Sequence, residues 1–191
     1  GPACTALTSQ LSFLPDLITE STAAAGRPAF FGRKGDTGFT AALTNPDSSG
    51  YTVRQYLVKW HSDWVRRFGV DGFRFDTVKH VENAAWRALK DASTQALADW
   101  KADPANAGKL LTDVDLPFWA TGEVFPHDVG MDAYYTEAGF DSLINTTFQD
   151  KVVTMLINRP SLAEAAPELD AVYRTYALRL SGNPAFDALS Y

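Results

Sequence analysis

Gly69-Val70-Asp71-Gly72-Phe73-Arg74-Phe75-Asp76-Thr77-Val78-Lys79-His80 is the stretch that decides how this chain is read. Side chains alternate across a strand, so Phe73 and Phe75 share one face while Arg74 and Asp76 share the other. An aromatic pair wants burial under a covering layer. An arginine and an aspartate at a strand's end want each other or a polar ligand. Taken alone, Arg74 and Asp76 read equally well as a structural ion pair. Lys79 and His80 follow just past the strand, where a barrel places its loops.

Working outward, the spacing of Val53, Tyr56, Leu57, Trp60, Trp64 and Phe68 predicts a helix that leads into this strand. Thr52 with Gln55 forms a capping box at its start, and Gly69 closes it. A second helix is predicted from Asn83 to Lys101, with Trp86, Leu89, Ala96, Leu97 and Trp100 as its apolar stripe. A second strand covers about Pro117 to Val124, where Trp119, Thr121 and Glu123 share one parity. A short third strand is expected near Phe140 to Asn145. Helical patterns return from Gln149 to Asn158 and from Ser161 to Leu180. In the latter, Ser161 with Glu164 is another capping box, and Leu169, Val172, Tyr173, Tyr176 and Leu180 form the stripe. A fourth strand-like run starts at Phe186. This alternation is that of a parallel α/β architecture. Residues 1–50, rich in Gly, Pro, Ser and Thr, read as a loop-rich segment ahead of it.

The chain has 191 residues, enough for one compact domain with a core, but a complete (β/α)₈ barrel typically needs ~250. About half of the required units are present, so on length the fold expected is a partial barrel. The net charge of −6 gives no electrostatic footprint for nucleic acid or an anionic membrane. The single cysteine, Cys4, excludes an internal disulfide. No apolar run is long enough to span a bilayer, and no signal peptide is visible. The chain begins Gly1-Pro2 rather than with Met, which suggests processing, a cloning scar or a piece of a longer protein.

Asp76 and Glu123 each end a predicted strand on the side where barrel enzymes keep their chemistry. If the two strands are neighbours, the two carboxyl groups meet across one cleft. Retaining glycoside cleavage needs such a pair at ~5–5.5 Å, one to attack the anomeric carbon and one to protonate the departing oxygen. Arg74, on Asp76's face, is expected to keep Asp76 ionised. The apolar run Val124-Phe125-Pro126 is expected to raise the pKa of Glu123.

Gly69–Asp76 with Lys79-His80 resembles the fourth barrel strand of the α-amylase family (glycoside hydrolase family 13). Ala120-Thr121-Gly122-Glu123-Val124 is similar to that family's fifth strand. Phe13-Leu14-Pro15-Asp16, Thr19-Glu20-Ser21, Tyr134-Tyr135 and Gly139-Phe140-Asp141 look most like its periplasmic, maltodextrin-degrading members. The resemblance implies a partial TIM barrel holding about strands 4 to 6 and the start of 7. Residues 1–50 would be the excursion after strand 3, and 51–191 the central part of the catalytic barrel. It implies cleavage of α-1,4-glucosidic bonds in starch or maltodextrins, with Asp76 as nucleophile, Glu123 as acid/base and Arg74 orienting the nucleophile. Lys79 and His80 would bind substrate. Asp16 and the His80 carbonyl would belong to a structural calcium site, although calcium needs six to eight oxygens.

The partner implied is an α-glucan, and the compartment periplasmic or extracellular. The family's third-strand Asn-His and seventh-strand His-Asp segments would lie upstream of Gly1 and just beyond Tyr191. The chain alone is therefore expected to be inactive and to need the remainder of the barrel. An α-glucosidase or transglycosylase of the same family, or a non-catalytic barrel relative that acts as a binding partner, are the alternatives. His61 and His127 belong to no comparable motif; His61 reads as a surface residue, and His127 could face the cleft.

Overall fold

The computed structural model describes residues 17–25, 50–110, 115–159 and 161–181. The element order is α1 (Val53–Phe68), β1 (Gly72–Phe75), a 3₁₀ turn (Val78–His80), α2 (Asn83–Ala102), a 3₁₀ turn (Pro104–Asn106), β2 (Trp119–Gly122), α3 (Ala133–Thr136), β3 (Ser142–Leu143), a π-helical turn (Gln149–Val153) that runs into α4 (Thr154–Asn158), and α5 (Leu162–Leu180). Asp16, most of residues 1–50 and the strand expected from Phe186 lie outside the described residues. The chain divides into two compact units, Gly1–Asp71 with His80–Phe118, and Gly72–Lys79 with Trp119–Tyr191.

In the first unit, α1 and α2 pack as a helical pair. The Thr52 hydroxyl accepts from the Gln55 amide at 3.3 Å, and the Gln55 side chain accepts from the Thr52 amide at 2.8 Å, so both halves of the capping box form. Gly69 ends α1 at φ 65°, ψ 38°, a left-handed conformation that glycine adopts without steric cost. Its missing side chain also matters for packing, because a Cβ there would lie 2.6 Å from the Trp100 indole of α2.

The buried face of α1 differs from the apolar stripe expected. Tyr56, Ser62, Asp63 and Val65 are buried, while Trp64 and Phe68 are exposed and stack on each other at 5.4 Å. Asp63 is carried inward because Lys59, one turn earlier, donates to it at 2.5 Å, with Arg66 at 3.9 Å on the other side. In α2, Leu89, Ala96, Leu97 and Trp100 of the expected stripe are buried and Trp86 is half-buried, while Ala85 and Ser93 join the buried side. Glu82, at the N-cap of α2, accepts from Arg54 and from the Thr19 hydroxyl, both at 2.6 Å, which ties residues 17–25 to both helices.

In the second unit, the three strands form one parallel sheet in the order β1-β2-β3. The ladder places Arg74 beside Thr121 and Phe75 beside Gly122. It then places Thr121 beside Ser142 and Gly122 beside Leu143. Each paired strand is shorter than its extended run in sequence, because the ladder exists only where neighbours overlap. One face carries Phe75, Ala120 and Leu143, all buried, with Phe75 edge-on to Phe140 at 5.4 Å. The other carries Arg74, Thr121 and Ser142, where the Ser142 hydroxyl donates to Thr121 at 2.8 Å.

Helix α5 starts where predicted, with Ser161 accepting from the Glu164 amide at 3.3 Å. Its inward side is Ala165 and Tyr176, with Leu169, Val172 and Leu180 half-buried, whereas Tyr173 is exposed. Tyr173 lies one position off the i, i+4, i+7, i+11 row that these residues define.

Gly72 pairs with Trp119 at the start of the β1–β2 ladder and leaves no room there for a side chain. A Cβ there would lie 2.5 Å from the Trp119 carbonyl oxygen, a backbone atom that moves only if the ladder moves. We expect Gly72→Ala to destabilise the full-length protein by about 1–3 kcal/mol in chemical denaturation. Gly50→Ala should change it by less than about 0.5 kcal/mol, since nothing lies within 4 Å of a Cβ at Gly50.

Candidate active site

Asp76 and Glu123 sit one residue past the last paired positions of β1 and β2, Phe75 and Gly122. The pairing carries on for one step in the backbone. The Glu123 amide donates to the Phe75 carbonyl at 2.8 Å, and the Val78 amide donates to the Glu123 carbonyl at 3.0 Å. Neighbouring strands lie ~4.7–4.9 Å apart, and residues at equal register in a parallel pair point to the same face. The two carboxyl groups are therefore brought side by side by strand geometry.

Arg74, two residues before Asp76 on the same face, spans both. Its Nη2 is 3.0 Å from Glu123 Oε2, and its Nη1 is 3.5 Å from Asp76 Oδ1. Asp76 is held below its ordinary carboxylate value. The largest cause is a side-chain hydrogen bond with Glu123, followed by the opposing effect of desolvation, the Arg74 charge and the Thr77 amide. The expected apolar surroundings of Glu123 are only partly there: Val124 is buried, Phe125 is exposed, and the Arg74 guanidinium stands beside the carboxylate.

The turn after β1 opens with Thr77 at φ 51°. A β-branched residue rarely adopts this left-handed conformation, and such backbone is stored where surrounding structure imposes it. Here it aims the Thr77 amide at the Asp76 carboxylate. Sequence pattern gave no sign of it, because Thr favours extended backbone. The Lys79 ammonium donates to the Phe125 carbonyl, in the loop after Glu123. Arg74, Asp76, Lys79 and Glu123 all belong to one compact unit. His80, half-buried, starts the next segment of the other unit. Of the two expected calcium ligands, Asp16 is not among the described residues. Among those residues, no group of three or more His, Cys, Asp or Glu side chains is placed to hold a metal ion.

The loop after Glu123 is fixed by polar side chains, of which sequence reading had singled out only His127. His127 is turned inward rather than left open, with its ring 10% exposed and Nε2 2.8 Å from Asp132 Oδ2. Asp128 accepts from Lys151 and, at 2.8 Å, from Arg179 of α5. The Arg179 guanidinium also donates to the Val129 carbonyl at 3.0 Å. Burial pushes the Asp128 carboxyl up, but the hydrogen bonds from Lys151, the Val129 backbone and Arg179 outweigh it and bring the pKa to about 2. Acid–base spacings of 23 and 51 residues leave no local mark in a sequence.

No family model matches the chain. The chain is 42% identical over 191 residues to the periplasmic α-amylase of Escherichia coli (strain K12), a match that covers 100% of this chain and 25% of that protein. It is 32% identical over 133 residues to an α-amylase of Streptomyces lividans, covering 64% of this chain and 13% of that one. The crystal structure of the Geobacillus thermoleovorans α-amylase complexed with acarbose aligns at 22% identity and a TM-score of 0.45, over 72% of this chain and 26% of its own. The chain thus spans 13–26% of the length of these relatives. Among the described residues, no helix is long and apolar enough to cross a membrane.

The Asp128 clamp gives a pH signature. A carboxylate whose pKa falls from 3.8 unfolded to about 2 folded stabilises the fold above the unfolded value, and that contribution is lost as pH drops through the folded one. Asp128→Asn should cost the full-length protein about 2 kcal/mol at neutral pH. The difference between variant and parent, measured by urea denaturation, should shrink as pH falls below about 4.

Proposed function

The chain belongs to the α-amylase family, glycoside hydrolase family 13, and we propose that it carries the reacting carboxyl pair of a retaining α-1,4-glucan hydrolase. The observation that supports this most is the single Arg74 guanidinium in contact with both Asp76 and Glu123 at the ends of adjoining parallel strands. Asp76 is held below its ordinary value, chiefly by its contact with Glu123 and then by the Arg74 charge, and a carboxylate kept ionised suits a nucleophile.

In this reading the Asp76 carboxylate attacks the anomeric carbon. The C–O bond to the leaving sugar breaks as Glu123 delivers its proton to the departing oxygen. A glycosyl ester on Asp76 results. Glu123, now a carboxylate, takes a proton from water, and the hydroxide formed releases the sugar and frees Asp76. Arg74 disperses the charge that moves between the two groups. Lys79 and His80 are proposed to contact sugar hydroxyls. No step is routed through calcium, since the described residues supply only His80 of the expected ligands.

The unit that holds the pair is proposed to be the part of a (β/α)₈ barrel around strands 4 to 6. β1 and β3 are sheet edges among the described residues, and Ile157, Leu162 and Leu178 are exposed. Such edges and apolar groups need covering by the remainder of a barrel. The similarity to a periplasmic α-amylase supports a periplasmic or secreted location and an α-glucan substrate.

The test uses the full-length protein on maltodextrin. Asp76→Asn and Glu123→Gln should each lower kcat by about 10²-fold or more. A slow fluorinated maltosyl substrate should leave its sugar esterified to Asp76, as read by peptide mass spectrometry. Wild-type activity in Glu123→Gln would reject the proposal. Asp76 stays ionised below its ordinary 3.8 because of Glu123 and Arg74, so the acid limb of kcat/KM should lie below that value. Arg74→Met should move the limb upward.

A further inference from the structure

Glu123 acts, in the reading above, only if its carboxyl group stays in place, and its backbone is pinned on one flank by the Phe75 carbonyl of β1 and by the Val78 amide of the turn that follows. The other flank is the run Val124–His127, which no strand holds. Thr146, past the end of β3, holds it instead. Its Oγ1 accepts from the His127 amide at 2.7 Å, and its one proton faces two carbonyls, Val124 at 3.1 Å and His127 at 3.3 Å. The Thr147 amide adds a bond to the His127 carbonyl at 3.2 Å.

Thr146 is itself tied to the sheet. The Thr146 amide donates to the Ile144 carbonyl at 2.9 Å, and the Ile144 amide donates to Gly122, the residue before Glu123, at 2.9 Å. One hydroxyl therefore closes a ring of hydrogen bonds from Gly122, through Ile144 just past β3, back to the peptide that follows Glu123. The far end of the run is fixed a second time by the inward His127 ring on Asp132, whose Oδ1 in turn accepts from the Tyr134 amide at 2.9 Å.

We propose that Thr146 is a positioning residue for Glu123, setting where the acid/base carboxyl sits by holding the peptide that follows it. This rests on the reading of Glu123 as the acid/base. Removing the hydroxyl leaves the His127 amide and the Val124 carbonyl without their partner, and a part-buried peptide turns to recover the lost bonds. Misplacing a catalytic group by about 1 Å costs up to about 10²-fold in rate.

The experiment compares two substrates of the full-length protein through kcat/KM, which reads glycosylation alone. A maltooligosaccharide needs its leaving oxygen protonated; α-maltosyl fluoride, whose leaving group is already a weak base, needs little help. Thr146→Val should lower kcat/KM about 10- to 100-fold on the oligosaccharide but less than about threefold on the fluoride, with Thr146→Ser within about threefold of wild type on both. Equal losses on both substrates, or none, would overturn the proposal, since a merely structural role cannot tell the two apart.

Glu123→Gln is the reference. If it fails to show the same contrast, the acid/base reading itself falls; if it shows the contrast and Thr146→Val does not, only Thr146's role is rejected. The wild-type protein provides a measurement that needs no variant. The His127 amide should be protected from hydrogen exchange, and free exchange at that amide would sink the inference.

Discussion

A positive charge shared between two carboxyl groups is the constraint that organises this molecule. Arg74 reaches Glu123 and Asp76 from one side, and half of its side chain remains in solvent. Exposed ion pairs contribute little to stability. The arrangement is better understood as charge placement, because it helps keep Asp76 ionised beside a second carboxyl group. Two neighbouring carboxyl groups cannot both ionise freely without such a counter-charge. Without Arg74 the two carboxyl groups would lose the cation that contacts both of them.

That placement costs the sheet two side chains. Gly72 lets the Trp119 carbonyl approach at the start of the β1–β2 ladder. At its end, a Cβ at Gly122 would meet Leu143, Phe140 and Val78 at 2.9 to 3.0 Å. Neither glycine has a left-handed φ, so their value here is the space they leave. Close approach of β1, β2 and β3 keeps the register strict, and strict register carries Asp76 and Glu123 to the same level. A slip of one residue would turn either acid to the opposite face, among Phe75 and Phe140.

Much of this was legible in the chain itself, where the physics is local. Thr52, Gln55 and Gly69 bound α1 because caps act within a few residues. The alternation of Phe73, Arg74, Phe75 and Asp76 assigns faces because strand periodicity is two. What depends on distant partners was not legible. α1 is apolar on more than one side, so periodicity could not tell that Asp63 turns inward with Lys59 while Trp64 turns out. Tyr173 is apolar enough for the α5 stripe yet misses the row by one position. Thr77's left-handed backbone and the Asp128 clamp arise from contacts formed only after the chain has folded.

The two carboxyl groups are therefore held in two different ways. Strand pairing fixes the height of each residue, and polar side chains from later in the chain fix the loops above. Lys79 belongs to the second kind. An ammonium has three protons to donate, and one is engaged by the Phe125 carbonyl. That bond anchors the long lysine stem beside the loop that follows Glu123 and leaves two donors for the proposed sugar contact. A lysine already held on one carbonyl loses less freedom on meeting a ligand than one swinging in solvent. The loop contact of Lys79 is thus compatible with the substrate contact proposed for it.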